Sequence, residues 1–164
     1  MQSGEISQVI GKSVGVRMFE VEKGAIRRFA DAVGDGNPLF RDVDYARKSH
    51  YGDIIAPPGF FGWPLKQPMG SPLVVEFPGE LMGPLMKVGY MAATSLDGGM
   101  EYDFLLPVYA GDTLTSTTIV KDVRERTGRG GKMCFIILDT TYLNQNGDLV
   151  AKARASTIMR SVSA

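Results

Sequence analysis

Asp35, Asn37 and Phe40 stand in the run Gly34-Asp35-Gly36-Asn37-Pro38-Leu39-Phe40, and their types and spacing bound the chemistry open to this chain. A carboxylate at 35 can take a proton from water or orient it, and an amide at 37 can contact that water or support the turn. Phe40 stands where a second proton-transfer group would be sought, and a phenyl ring moves no protons. A second run, Ala56-Pro57-Pro58-Gly59-Phe60, puts a glycine at what reads as a helix start. Free backbone N–H groups and the positive end of a helix dipole there would suit a developing negative charge. Pro57 and Pro58 would fix the entry, since proline lacks only an N–H that would go unpaired. Both runs also have a plainer reading, as a tight connection and as chain direction, because Asp, Asn, Gly and Pro are the standard turn formers. His50 is the single histidine, so a histidine mechanism within one chain rests on it alone; a solvated loop residue is its other reading.

The elements that must position these residues follow from the pattern. Residues 13–21 read as a strand. From Glu22 to Val33, Ile26, Phe29, Ala30 and Val33 recur at i, i+3, i+4 and i+7, which predicts a helix with one apolar stripe, closed by Gly34 as a left-handed cap. A second short helix is expected over Val43–Lys48. Seven of the nine prolines fall between Pro57 and Pro84. That density predicts one short helix near Gly59–Lys66, then a long packed flap, carrying Val74, Val75, Phe77, Leu81 and Met82, to about Leu85. Strands are expected over Met100–Leu106, Thr113–Val123, Lys132–Leu143 and Leu149–Arg160, with hairpins at Gly128–Gly131 and at Asn144–Asp148. In the last strand Ala151, Ala153 and Ala155 alternate with Lys152, Arg154 and Ser156, as one half-buried face requires. The order is α+β: an antiparallel sheet with helix on one face, in one domain over residues 1–164.

Composition narrows the partners. Eighteen basic and eighteen acidic residues cancel, which argues against nucleic acid or an anionic membrane. No apolar run approaches the ~20 residues of a membrane span and no export pattern opens the chain, so a cytoplasmic protein is expected. Cys134 lies in an apolar run and reads as a buried small residue. No metal-ligand spacing, nucleophile elbow or nucleotide-type glycine loop is present, so no metal or cofactor is expected.

Phe29–Leu39, then Tyr51–Pro58, then Pro107–Leu114 occur in the order and spacing of the MaoC-like hydratases and dehydratases, and this resemblance spans nearly the whole chain. It implies a hotdog fold, an antiparallel sheet wrapped around a central helix. It also implies action on an enoyl or 3-hydroxyacyl thioester of coenzyme A or a carrier protein, in fatty-acid or steroid side-chain metabolism. In active members an Asp and a His five positions later hold the water that adds or leaves. Asp35 and Asn37 match that motif, but Phe40 occupies the histidine's place, so the chain resembles the amino-terminal-half subgroup that lacks the histidine. Such members pair with a second hotdog that carries the couple.

The resemblance therefore gives Asp35 and Asn37 catalytic roles, with His50, Tyr45 or Tyr51 as alternative helpers. Phe40, Pro57, Pro58, Gly59 and Phe60 become substrate-binding candidates. Arg124, Arg126, Arg129 and Lys132 around the glycine hairpin are candidates for coenzyme A phosphates, a solvated hairpin being their other reading. Trp63, Phe60 and Phe61 read as core or interface filler, or as the lining of an acyl tunnel. Three alternatives stay open: a self-sufficient homo-oligomeric hydratase using Asp35, a non-catalytic acyl-coenzyme A-binding module, and a thioesterase. The oligomer expected is a homodimer or a heterodimer with a histidine-bearing hotdog.

Overall fold

The computed structural model describes residues 4–60, 78–128 and 131–161. Among them the order is α1 (Gly4–Ser7), β1 (Ser13–Glu20), α2 (Lys23–Ala32), a 3-10 turn (Pro38–Phe40), α3 (Val43–Lys48), α4 (Gly79–Lys87), β2 (Tyr90–Phe104), β3 (Thr113–Gly128), β4 (Gly131–Leu143) and β5 (Leu149–Ser161). The strands form one antiparallel sheet in the order β1-β3-β4-β5-β2. This is the small curled sheet with few helices of the hotdog fold, as the motifs implied.

The period-two pattern decides which sheet face is covered. On β4 Cys134, Ile136, Leu138 and Tyr142 are buried, whereas Met133, Phe135, Ile137 and Asp139 face the other way and stay partly open. Ala151 and Ala153 of β5 are buried and Lys152 and Arg154 are exposed, as the alternation predicts. Two apolar clusters lie on the covered face. One joins α2, the Phe40 turn and residues 54–60 to Leu114, Tyr142, Val150, Ala151 and Ala153. The other joins α1 and α4 to Tyr90, Val120, Val123, Cys134, Ile136, Leu138 and Met159.

The expected α2 is present, with Ile26 and Ala30 at 0% exposure; burying one such isoleucine is worth about 1.5–3 kcal/mol. Val33, placed on the apolar stripe, is instead the C-cap and is exposed, because the helix stops one residue earlier. Gly34 follows at φ 73°, the left-handed conformation that ends such helices. α3 matches its expected span and is capped by Asp42, whose Oδ1 accepts the N–H groups of Asp44 and Tyr45.

Two expectations need correction. The flap does not run on to Leu85: residues 79–87 are α4, with Leu81, Met82 and Leu85 buried. Pro78 stands at the N-cap, where a proline starts rather than breaks a helix. Pro84 inside α4 removes the N–H that would meet the Glu80 carbonyl, and the Lys12 ammonium donates to that carbonyl instead, at 3.2 Å. The remainder of the flap and most of the helix expected over Gly59–Lys66, with Phe61 and Trp63, lie outside the described residues. At the near end of that segment Phe60 N–H donates to the Pro57 carbonyl at 3.1 Å and Gly59 has φ 83°, so Pro58 and Gly59 form a tight turn, and Phe60, directly after it, is the first residue in 3-10 conformation.

The second correction concerns β2, which begins at Tyr90 rather than Met100. Gly98-Gly99 reads as a break in sequence, but the strand passes through it with a register shift between Asp97 and Met100. The Asp97 carboxylate accepts the Gly99 N–H at 2.8 Å, and Gly99 takes φ 107°. Gly98 is confined for another reason: a Cβ there would lie 2.8 Å from the Ser156 carbonyl oxygen on β5. Gly98→Ala is expected to cost about 1–3 kcal/mol, as overpacking against backbone does, read as a lower denaturant midpoint.

Candidate functional site

The site is assembled by a short pairing that brings two distant segments together. Ala56 N–H donates to the Val108 carbonyl at 2.7 Å, Ala110 N–H donates to the Ile54 carbonyl at 3.0 Å, and Ile55 bridges Tyr109. Asp112 fixes the second segment by accepting the Tyr109 N–H at 2.8 Å. Leu105 and Leu106 N–H groups both reach the Val150 carbonyl, turning the chain off the end of β2. Between these segments and the Phe40 turn lies a cavity of about 380 Å³. Its walls are Asn37, Leu39, Phe40, Tyr51, Ile55, Ala56, Pro57, Pro58 and the run Phe104–Val108. That size lies at the lower end of small-molecule sites, and among the described residues the lining carries no charged side chain.

The turn before it is built from its own side chains. Asp35 Oδ1 accepts the Asn37 N–H at 3.0 Å, and Asn37 Oδ1 accepts the Leu39 N–H at 3.1 Å, capping the 3-10 turn that Pro38 opens. Arg41 ties this turn to α2: its Nη2 donates to the Asp35 carbonyl and its Nη1 meets Asp31 Oδ1 at 3.0 Å. Phe40 is 4% exposed, with its ring in the first apolar cluster and in the cavity wall.

Of the candidates read from sequence, the structure brings Asn37, Phe40, Tyr51, Pro57 and Pro58 to one cavity. Asp35 is not among the lining residues; its carboxylate faces the turn backbone. His50 is exposed and outside the cavity, its ring tilted against that of Tyr51 with centroids 3.8 Å apart. Tyr45 is exposed on α3. Gly59 and Phe60 do not line the cavity; Phe60 is wholly buried, with its ring edge-on to Phe29 at 5.7 Å. Sequence reasoning missed Phe104, Leu105 and Leu106, although an apolar run after a strand end, leading into Pro107, is the signal that could have found them.

Arg124 lies elsewhere, beside a second hollow of about 380 Å³ on the other sheet face with Lys121, Asp122, Ile137 and Arg154. Its Nε meets Asp122 Oδ2 at 2.7 Å, and this bond holds the Asp122 carboxyl below its usual range. Arg154 grips Asp139 with two bonds, at 2.8 and 2.9 Å, and lowers that carboxyl likewise. Arg126 and Lys132 are exposed, and Arg129 lies outside the described residues.

Cys134 is remote from the cavity, in the second cluster. Burial, and then the nearby Glu125 carboxylate, push its thiol up to about 12. Tyr90, which donates to Glu125 Oε1 at 2.8 Å, is raised for the same first reason. At pH 8 about one part in ten thousand of such a thiol is ionised, so a disulfide reagent should label native protein at least ~100-fold more slowly than unfolded chain. The raised value also stabilises the fold below the ordinary thiol pKa, a contribution lost as pH climbs toward 12.

Among the described residues no group of three His, Cys, Asp or Glu could hold a metal, and no helix is long and apolar enough to cross a membrane. The family model described as "FAS1-like, dehydratase domain region" matches residues 8–153. A UPF0336 protein from Parafrankia sp. is 31% identical over 144 residues, which is 87% of this chain and 85% of the relative. Among solved structures, the ChsH1–ChsH2 complex from Mycobacterium tuberculosis contains a chain that superposes with a TM-score of 0.73 at 18% identity, covering 98% of this chain and 91% of its own. The MaoC-like dehydratase from Rhodospirillum rubrum superposes with a TM-score of 0.63 at 21% identity, over 94% of both chains. With its sheet order, its two stitched motif segments and a match over most of its length, the chain is a member of the FAS1-like dehydratase region family, and its fold is the hotdog of the MaoC-like dehydratases.

Proposed function

We propose that this chain is a subunit of an acyl-thioester hydratase or dehydratase, and that it shapes the acyl pocket beside a hotdog partner carrying the Asp–His couple. One observation carries the reading. Phe40 occupies the place of the family histidine with its ring buried in the cavity wall, so the cavity gains an apolar surface where an active member has a proton shuttle. Adding water to a conjugated thioester needs a base for the water, an acid for the α-carbon and dipoles for the enolate oxygen. No imidazole lines this cavity, since His50 lies outside it. An apolar lining suits an acyl tail and offers nothing to a phosphate. The two-chain ChsH1–ChsH2 assembly of the structural relative supports hetero-pairing as the arrangement. The substrate is an enoyl or 3-hydroxyacyl thioester, carried on coenzyme A or a carrier protein, with no cofactor.

The test is turnover of crotonyl-coenzyme A and longer enoyl esters by the purified chain, alone and with the hotdog encoded beside it. Very low activity alone, restored by the partner, is expected. Robust activity of the chain by itself, abolished by Asp35→Asn, overturns the division of roles.

A further inference from the structure

Among the described residues, Asn37 and Tyr51 are the polar side chains of a cavity wall whose other described members are apolar. The Asn37 amide is pinned, because its Oδ1 already accepts the Leu39 N–H at 3.1 Å. The end left to a ligand is therefore the –NH₂, which donates and does not accept. Tyr51 is held from behind: its backbone N–H donates to Ser49 Oγ at 3.1 Å and its ring lies against His50. Its phenol is the second donor group carried by the lining residues. Two neutral donors among apolar neighbours suit a ligand with one acceptor oxygen on an apolar body, and leave a charged head unmatched.

Asp35 reaches this pair only through the backbone. Its Oδ1 accepts the Asn37 N–H at 3.0 Å, its carbonyl accepts from Arg41, and Arg41 is anchored on Asp31. The chain of bonds runs from α2 through Arg41 and Asp35 to Asn37, and ends on Leu39. Asp35 is absent from the cavity lining, so the carboxylate's visible work is to hold the asparagine.

Building on the hydratase–dehydratase reading, we infer that Asn37 and Tyr51 bind the acceptor oxygen of the acyl thioester, and that Asp35 is a positioning residue for Asn37 rather than the base.

The experiment uses the full chain, with decanoyl-coenzyme A titrated by calorimetry and with crotonyl-coenzyme A turnover measured in the assembly with its partner. Asp35→Asn keeps an oxygen for the Asn37 N–H and is expected to leave affinity, turnover and its pH profile within about twofold of the parent. Asp35→Ala removes that acceptor, and affinity should fall about tenfold. Asn37→Asp keeps the cap on Leu39 but loses the donor, so affinity should fall about tenfold or more. Tyr51→Phe, a change of one hydroxyl, should weaken binding about five- to tenfold. If Asp35→Asn abolishes turnover as Asp35→Ala does, the positioning role is wrong and Asp35 is a base. Parent-like affinity in both Asn37→Asp and Tyr51→Phe removes the donor pair. A parent chain that neither binds the ester nor supports turnover sinks the hydratase–dehydratase reading itself, and is recognised before any variant is made.

Discussion

Mixed with a histidine-bearing hotdog partner, the chain should support hydration of an enoyl thioester at least about 100-fold faster than it does alone. A positioned acid–base group contributes typically 10²–10⁴-fold, which corresponds to about 3–5 kcal/mol of barrier. Phe40 withholds that whole contribution, and the alternative histidine does not restore it, because His50 is exposed and outside the cavity. What the chain retains alone is pocket and orientation, which lower the barrier less when no group accepts the proton. The measurement is steady-state loss of the conjugated thioester absorbance over a titration of partner into chain. His50→Ala should leave the pH profile of the assembly unchanged. A rate that does not respond to added partner, or a pH profile that shifts with His50→Ala, contradicts this assignment.

The second large effect is on stability. Phe60 was a substrate-binding candidate in the sequence, yet it is wholly buried, edge-on to Phe29, with its N–H closing the Pro57 turn. Removing the ring by Phe60→Ala should cost about 3–5 kcal/mol, a large part of the margin of a domain this size. The denaturant midpoint should drop while the slope of the transition stays constant. Phe60→Leu, which keeps most of the volume, should cost far less. If Phe60→Ala instead weakens acyl-ester binding and leaves the midpoint in place, the residue belongs to the pocket and not to the core.

The contrast between Phe60 and Phe40 shows what could be read from sequence. Elements whose signals are local came through: α2 from its apolar stripe, α3 over its expected span, and β3 to β5 from β-rich runs between turn residues. Elements that depend on a distant neighbour did not. α4 contains Pro84, which is tolerated because Lys12 answers the carbonyl it leaves, and no window of sequence shows that. The early part of β2 was hidden by Gly98-Gly99, where Gly98 is required by close approach to Ser156 on β5 and Gly99 by its φ of 107°.

The site divides the same way. Asn37, Phe40, Pro57 and Pro58 were visible because each belongs to a compact motif. Both Tyr51–Pro58 and Pro107–Leu114 stood out as motif segments, but their mutual pairing through Ala56 and Val108 is a tertiary fact. For that reason Phe104, Leu105 and Leu106 entered the cavity wall unannounced. At Gly59 the detail that sequence could not give is a backbone angle: φ 83° makes a tight turn that leads directly into the 3-10 conformation of Phe60.

The bond from Lys12 to the Glu80 carbonyl spans 68 positions of chain. Closing so wide a loop is slow, because its entropy must be spent before the contact rewards it. The carbonyl that Pro84 leaves open near the start of α4 is therefore answered only after residues 12 and 80 have met, so this part of the helix waits on tertiary docking rather than on its own residues. In this molecule a helix that carries a proline is latched late, by a lysine from the segment that precedes the first strand.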